Sequence, residues 1–234
     1  MFQETVILMT ISAFHRGYDS GACLVVATGP SLLKRDIDLM RQLFADLYAI
    51  GDYQVPLTTI VVNDAWKLAP WANVLYAGDH SWWTHNPEAS GFKGEKLIAR
   101  GLGSPALAAK KFGLNQLDVK FGSGLSTNPS YVHSGWNSGF AAFNLAINMG
   151  FREIFLLGFD YQIEDPDHIH FFGNHPKPLR NGLPIKQMIL EMDIAAMQIA
   201  EDTTIEVTNL TRKTAIQGFQ RMTVETLIAD QILA

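Results

Sequence analysis

Two short stretches of this chain share one design, an apolar strand that runs straight into a small-residue turn opening a helix. They are residues 24–32 (LVVATGPSL) and 154–161 (IFLLGFDY), the second fed by the Gly/Ser/Asn-rich segment 134–140 (SGWNSGF). A turn without bulky side chains lets a ligand approach the backbone. The first free N–H groups of the following helix then face that ligand as a partial positive charge. Phosphates bind such places. The pattern is looser than a Walker loop or a dinucleotide fingerprint, since residues 28–31 (TGPS) hold one glycine and no GKS or GKT triplet occurs. Alone, it reads equally as an ordinary turn with Ser31 or Thr28 capping a helix.

The rest of the chain repeats the alternation. Short apolar runs at 24–27, 59–62 (TIVV), 73–77 (NVLYA), 117–121, 154–157 and 205–208 read as buried strands. Between them, Leu33, Ile37, Met40, Phe44 and Leu47 form one helical stripe that predicts a helix over about 31–48. Ser104, Pro105 and Gly113 punctuate a second helix, and segments 137–149, 185–199 and the stretch from 223 supply three more. Strands and helices of these lengths imply a parallel sheet covered on both faces. The prediction is therefore a single nucleotide-binding α/β domain over 1–234. Its core is a Rossmann-like, mostly parallel sheet with helices on both faces, and a His/Pro-rich lid loop covers about 162–184.

Composition bounds the partners. At 234 residues and 47% apolar content the chain can bury a full core. With 18 Lys and Arg against 23 Asp and Glu, and no basic run longer than Lys110-Lys111, concentrated positive charge is lacking. Nucleic acid and anionic membranes are thus not favoured as partners, although a local basic groove stays open. The single cysteine, Cys23, makes no internal disulfide and reads as a buried thiol. The apolar run 6–14 lacks a basic leader and is too short to span a bilayer, while 20–23 (SGAC) lacks the leucine of a lipoprotein site. The expectation is a cytoplasmic protein whose first 22 residues form a short helix or an edge strand. A homo-oligomer is compatible with all of this.

Parallel sheets bind ligands beyond the carboxyl ends of their strands. Gly29 to Ser31, Asn63-Asp64, Asp79-His80, Gly158 to Tyr161 and Asn209 all follow predicted strand ends. The candidate phosphate- and nucleotide-binding residues are Thr28, Gly29, Pro30, Ser31, Asn63, Asp64, Asp79, Asn137, Ser138, Gly139, Gly158, Asp160 and Tyr161. Each also has a plain reading as a cap or turn residue. Segment 165–181 (DPDHIHFFGNHPKPLRN) differs in character, with three prolines, His168, His170, His175, Lys177 and Arg180 and no regular period. A loop of this length in a compact fold is functional or disordered. Paired phenylalanines and clustered histidines argue for a lid over the crevice, and a histidine near neutral pKa there suits general-base work, with His175 and His170 as the catalytic candidates. The spacing His-x-His-x4-His is compatible with a metal, but Asp165 and Asp167 precede it without a ligand rhythm, so no metal ligand is assigned. Trp82-Trp83 and Trp136 read as core or rim packing ahead of stacking on a base or sugar.

With these residues assembled, the chain resembles the bacterial sialyltransferases and the related motility-associated and hydroxymethylpterin-diphosphokinase-like proteins, a group with many phage members. Their pattern is a strand followed by Gly-Pro-Ser-Leu, matched by Gly29, Pro30, Ser31 and Leu32. A Ser-Gly opening a helix and a strand ending in Gly-hydrophobic-Asp follow, matched by Ser138, Gly139, Gly158, Phe159 and Asp160. Asn63 stands where the pattern has an asparagine after the second strand, and Val207 to Asn209 match its last strand. In the sialyltransferases the base is a lid histidine in a His-aromatic-x-Gly-His sequence. Residues 170–175 (HFFGNH) look similar with one extra residue, so the resemblance assigns the base to His175. The family's arginine before the Ser-Gly element is Gly135 here, and its tyrosine-rich lid is absent.

The leading expectation is a nucleotide-dependent transferase, a glycosyltransferase using a nucleotide-sugar donor. Its phosphate would rest on Gly29 to Ser31 and on the Ser138-Gly139 helix start, with Asp160 and Asn63 on the nucleoside and His175 as base. Magnesium is compatible with this reading but not required by it. In the alternative, diphosphate transfer of the pterin type, Asp64, Asp79 or Asp160 would hold the magnesium through water. A third reading is a non-catalytic nucleotide-binding or phage morphogenesis protein. The acceptor is unassigned by the sequence.

Overall fold

The structure is a computed structural model that describes residues 21–51, 56–100, 105–179, 182–202 and 204–233. The expectations for the first 20 residues, for Ser104 as a cap and for Arg180 in the lid lie outside these.

Among the described residues nine strands form one sheet: β1 (Ala22–Val26), β2 (Thr58–Val62), β3 (Val74–Tyr76), β4 (Glu95–Arg100), β5 (Asn115–Lys120), β6 (Val132–His133), β7 (Glu153–Leu157), β8 (Glu206–Asn209) and β9 (Gln220–Arg221). Their order is 6-5-4-3-2-1-7-8-9 and every ladder is parallel. The chain builds outward from β1 to β6, then returns to lay β7 against the other side of β1, in the register Ala22 opposite Glu153 through Val26 opposite Leu157. The connections leave β1 and β7 in opposite directions, so their carboxyl ends bound the crevice where such sheets take their ligands.

Alternate residues of β1 feed two cores, as a strand buried on both faces requires. Cys23 and Val25 pack with α4 (Ser138–Asn148) and α5 (Ile185–Glu201). Ala22, Leu24 and Val26 pack with α1 (Lys34–Ile50), α2 (His80–His85), α3 (Pro105–Phe112) and α6 (Val224–Leu233). Each fully buried Leu, Ile or Phe contributes about 1.5–3 kcal/mol. Cys23 lies wholly inside, and burial pushes its thiol well above the ordinary range, as a structural cysteine. Trp82 and Trp83 are core residues too, their indole N–H groups donating to Asp64 and to the Ala77 carbonyl.

The predicted stripe of α1 is buried at Ile37, Met40, Phe44 and Leu47, but the helix starts at Lys34 instead of 31 and leaves Leu33 exposed. A turn intervenes, closed by the Leu32 N–H on the Gly29 carbonyl, and Leu33 is the N-cap without any side-chain cap bond. Neither Ser31 nor Thr28 is the cap. Strands β4, β6 and β9 and helix α2 lie outside the sequence expectation. β4 has charged ends around only three apolar residues, and β6 and β9, with two residues each, are too short to display a period. Among the described residues no helix is long and apolar enough to cross a membrane.

Candidate functional site

Beyond the strands, β1 and β7 stay stitched together. The Ala27 N–H donates to the Leu157 carbonyl at 2.8 Å and the Gly29 N–H to the Gly158 carbonyl at 2.9 Å. Gly29 is a glycine for steric reasons, since a Cβ there would fall 1.7 Å from Asp160 Oδ1 and 2.6 Å from the Gly158 oxygen. The Asp160 carboxyl occupies that space instead. Its Oδ2 accepts the Ser31 N–H at 3.1 Å, whereas its Oδ1 is buried without a partner. Asp160 is 2% exposed, and burial pushes its carboxyl up to about 6 against the hydrogen bonds from Ser31. Its backbone is clamped from the far side. Thr211 Oγ1 accepts the Phe159 N–H at 3.0 Å, Thr214 Oγ1 donates to the Phe159 carbonyl at 2.7 Å, and the Ala215 N–H donates to the Asp160 carbonyl at 2.8 Å.

This arrangement corrects one expectation. The donors expected to meet phosphate at Gly29 to Ser31 are spent: Gly29 on Gly158, Ser31 on Asp160, and Pro30 has none. Asn209 is likewise a brace. It is fully buried, accepts the Thr211 N–H at 3.0 Å and stays off the cavity wall.

The start of α4 is different. Asn137 caps it, its Oδ1 accepting the Phe140 N–H at 2.9 Å and the Tyr161 hydroxyl at 3.0 Å. The Ser138 and Gly139 N–H groups have no acceptor among the described residues and carry the positive end of the helix dipole. At Gly135, with φ +50°, a Cβ would fall 2.0 Å from Phe140 Cγ. The Phe140 ring therefore closes the position where the resembled family carries arginine.

The lid descends on the other side. His170 and Gly173 exchange backbone hydrogen bonds in a tight reversal, and the Phe171 N–H donates to the Thr28 carbonyl at 3.1 Å. Thr28 Oγ1 lies 3.0 Å from His170 Nδ1. The His170 and His175 rings are 4.6 Å apart, with Phe172 stacked on His170. His175 Nδ1 is 4.0 Å from Asp64 Oδ2, and Asp64 also takes the Lys67 ammonium at 2.7 Å and the Trp82 indole N–H at 2.9 Å. Burial lowers both imidazoles. His170 falls to about 4, with His175 adding to the effect, and His175 falls below its ordinary 6.5 although Asp64 and Asp79 oppose the change. Burial thus favours the neutral form of both rings.

A cavity of about 240 Å³ opens among these elements. Thr28, Gly29 and Pro30 line it from β1, Asn63 and Asp79 from β2 and β3, and Asn137 to Gly139 from α4. Gly158, Asp160 and Tyr161 line it from β7, and His170 and His175 from the lid. Two candidates stand elsewhere. Ser31 borders a neighbouring cavity of about 270 Å³ with His168, Glu164 and Lys213, and Asp64 is a buried support beneath His175. His168, His170 and His175 therefore do not converge, and among the described residues no three His, Cys, Asp or Glu side chains are grouped to hold a metal ion. Val62, Gln162, Ile163 and Met188 line the switch-point cavity unpredicted, because apolar and amide wall residues leave no sequence signal.

Strain marks the same place. The only non-glycine residues with positive φ among those described are Asn63 (47°), Trp136 (65°) and Tyr161 (51°), and all three line this cavity. Asparagine tolerates that conformation, but the two aromatics hold it at a cost of about 1–2 kcal/mol each. No protein-family model matches the chain, and no curated protein matches it.

Proposed function

We propose that the chain is a nucleotide-dependent transferase of the glycosyltransferase kind. The single observation that supports this most is a switch-point cavity faced from one side by the unpartnered N–H groups of α4 and from the other by the lid histidine His175. The donor phosphate lies against Ser138 and Gly139. His175 is the general base, and with Nδ1 turned toward Asp64, Nε2 is the nitrogen assigned to the proton. The acceptor hydroxyl gives that proton up as its oxygen bonds the sugar carbon. The bond from that carbon to the phosphate oxygen breaks, and the electron pair leaves with the phosphate. Charge developing there meets the helix N–H donors, and the imidazolium formed meets the Asp64 carboxylate. Of the carboxylates named for magnesium, Asp64 is already held by Lys67 and Trp82, while Asp79 and Asp160 border the cavity.

The test is turnover with a panel of nucleotide sugars, read beside nucleotide-induced thermal shifts. His175→Ala should lower turnover by about 10²- to 10⁴-fold and keep the thermal shift. Full activity in that variant removes the mechanism.

A further inference from the structure

Trp136 is placed as few tryptophans are. Its backbone sits in the left-handed region directly after Gly135, which is also left-handed, and it immediately precedes the Asn137 cap of α4. An indole that served only to fill the core would be buried and unstrained. This one is 52% exposed at the rim of the cavity, with the 69% exposed Phe121 ring 5.8 Å away and tilted against it. Glycine would adopt the same backbone freely, so the side chain is kept at the expense of conformational strain. Two and three residues further on stand the unpartnered Ser138 and Gly139 N–H groups.

We propose that the Trp136 indole is a stacking platform for the planar base of a nucleotide whose phosphate lies on the α4 start. The inference rests on the nucleotide reading above and adds to it which face of the molecule holds the base. Every base has a π-face, so such a platform gives affinity with little discrimination between bases. Discrimination falls to polar groups at the base edge.

The experiment measures binding of AMP, CMP and UMP, with ribose 5-phosphate as the probe that lacks a base, to the wild type, Trp136→Phe and Trp136→Gly. The wild type should bind each nucleotide at least about tenfold more tightly than ribose 5-phosphate, Trp136→Phe should keep most of that margin, and Trp136→Gly should lose it. Because glycine relieves the strained φ, Trp136→Gly should hold its Tm within about 3 °C of the wild type. Nucleotides bound no better than ribose 5-phosphate, or a margin unchanged in Trp136→Gly, overturns the platform and leaves the transferase reading standing. A wild type that binds none of the four probes overturns both. A Tm falling by much more than 3 °C in Trp136→Gly assigns the indole a packing role and also overturns the platform.

Discussion

The turn after β1 and the start of α4 look alike in the sequence, each a small-residue segment opening a helix, yet only one offers donors to a ligand. At the first, Asp160 enters the space that Gly29 leaves and takes the Ser31 N–H, while Gly158 takes the Gly29 N–H. At the second, the Asn137 side chain caps the Phe140 N–H and leaves Ser138 and Gly139 open. The same local chemistry is a weld in one place and, on the proposed reading, a receptor in the other. What decides is the neighbour that tertiary structure brings in: Asp160 lies 129 residues from Ser31.

Glycine replacements break this comparison with the largest effect. Gly29→Ala drives a methyl into a carboxylate and a backbone carbonyl, of which the second cannot yield, and should cost about 4 kcal/mol in denaturant unfolding. In Gly139→Ala the nearest atom is a side-chain oxygen at 2.9 Å, and the cost should be about 1 kcal/mol. Equal costs would remove the contrast between weld and receptor.

The weld also carries a pH signature. Asp160, raised from 3.8 to about 6, contributes stability that is complete below its unfolded value and lost as pH rises through about 6. His170, lowered from 6.5 to about 4, has the opposite sense: its contribution is complete above 6.5 and lost as pH falls through about 4. Each amounts to about 3 kcal/mol, so between about pH 4 and 6 the two slopes largely cancel, with His175 tilting the balance toward loss in acid. Asp160→Asn, with an amide oxygen to keep the Ser31 bond, should be more stable than the wild type at pH 8 by up to about 3 kcal/mol and fall more steeply on acidification. A variant whose unfolding free energy parallels the wild type from pH 4 to 8 contradicts the buried charge.

Asn137→Ala has a smaller effect. It deprives Phe140 of its cap and the Tyr161 hydroxyl of its acceptor, for about 1–2 kcal/mol in thermal unfolding. It should weaken phosphate binding beyond that only modestly, since the Ser138 and Gly139 donors remain.

The fold was largely legible because strands buried on both faces are short continuous apolar runs, as at 59–62 and 154–157, and α1 shows its stripe at Ile37, Met40, Phe44 and Leu47. The two-residue strands β6 and β9 were not, having too few residues to carry a pattern. Within the site, glycines and polar residues after strand ends pointed to the cavity wall. The roles of Ser31 and Asp64 escaped because each depends on a distant partner, Asp160 for one and Trp82 for the other. The left-handed backbone of Trp136 has no local signature either, since a tryptophan there does not announce a positive φ in the sequence.

On the proposed reading the phosphate meets the Ser138 and Gly139 amides and not those of Gly29 and Ser31. Amide chemical shifts followed by two-dimensional ¹H–¹⁵N NMR during titration with a nucleoside monophosphate read it residue by residue. Ser138 and Gly139 should move most, with Gly29 and Ser31 nearly still. Large saturating shifts at Gly29 and Ser31, with Ser138 and Gly139 unmoved, would contradict the account.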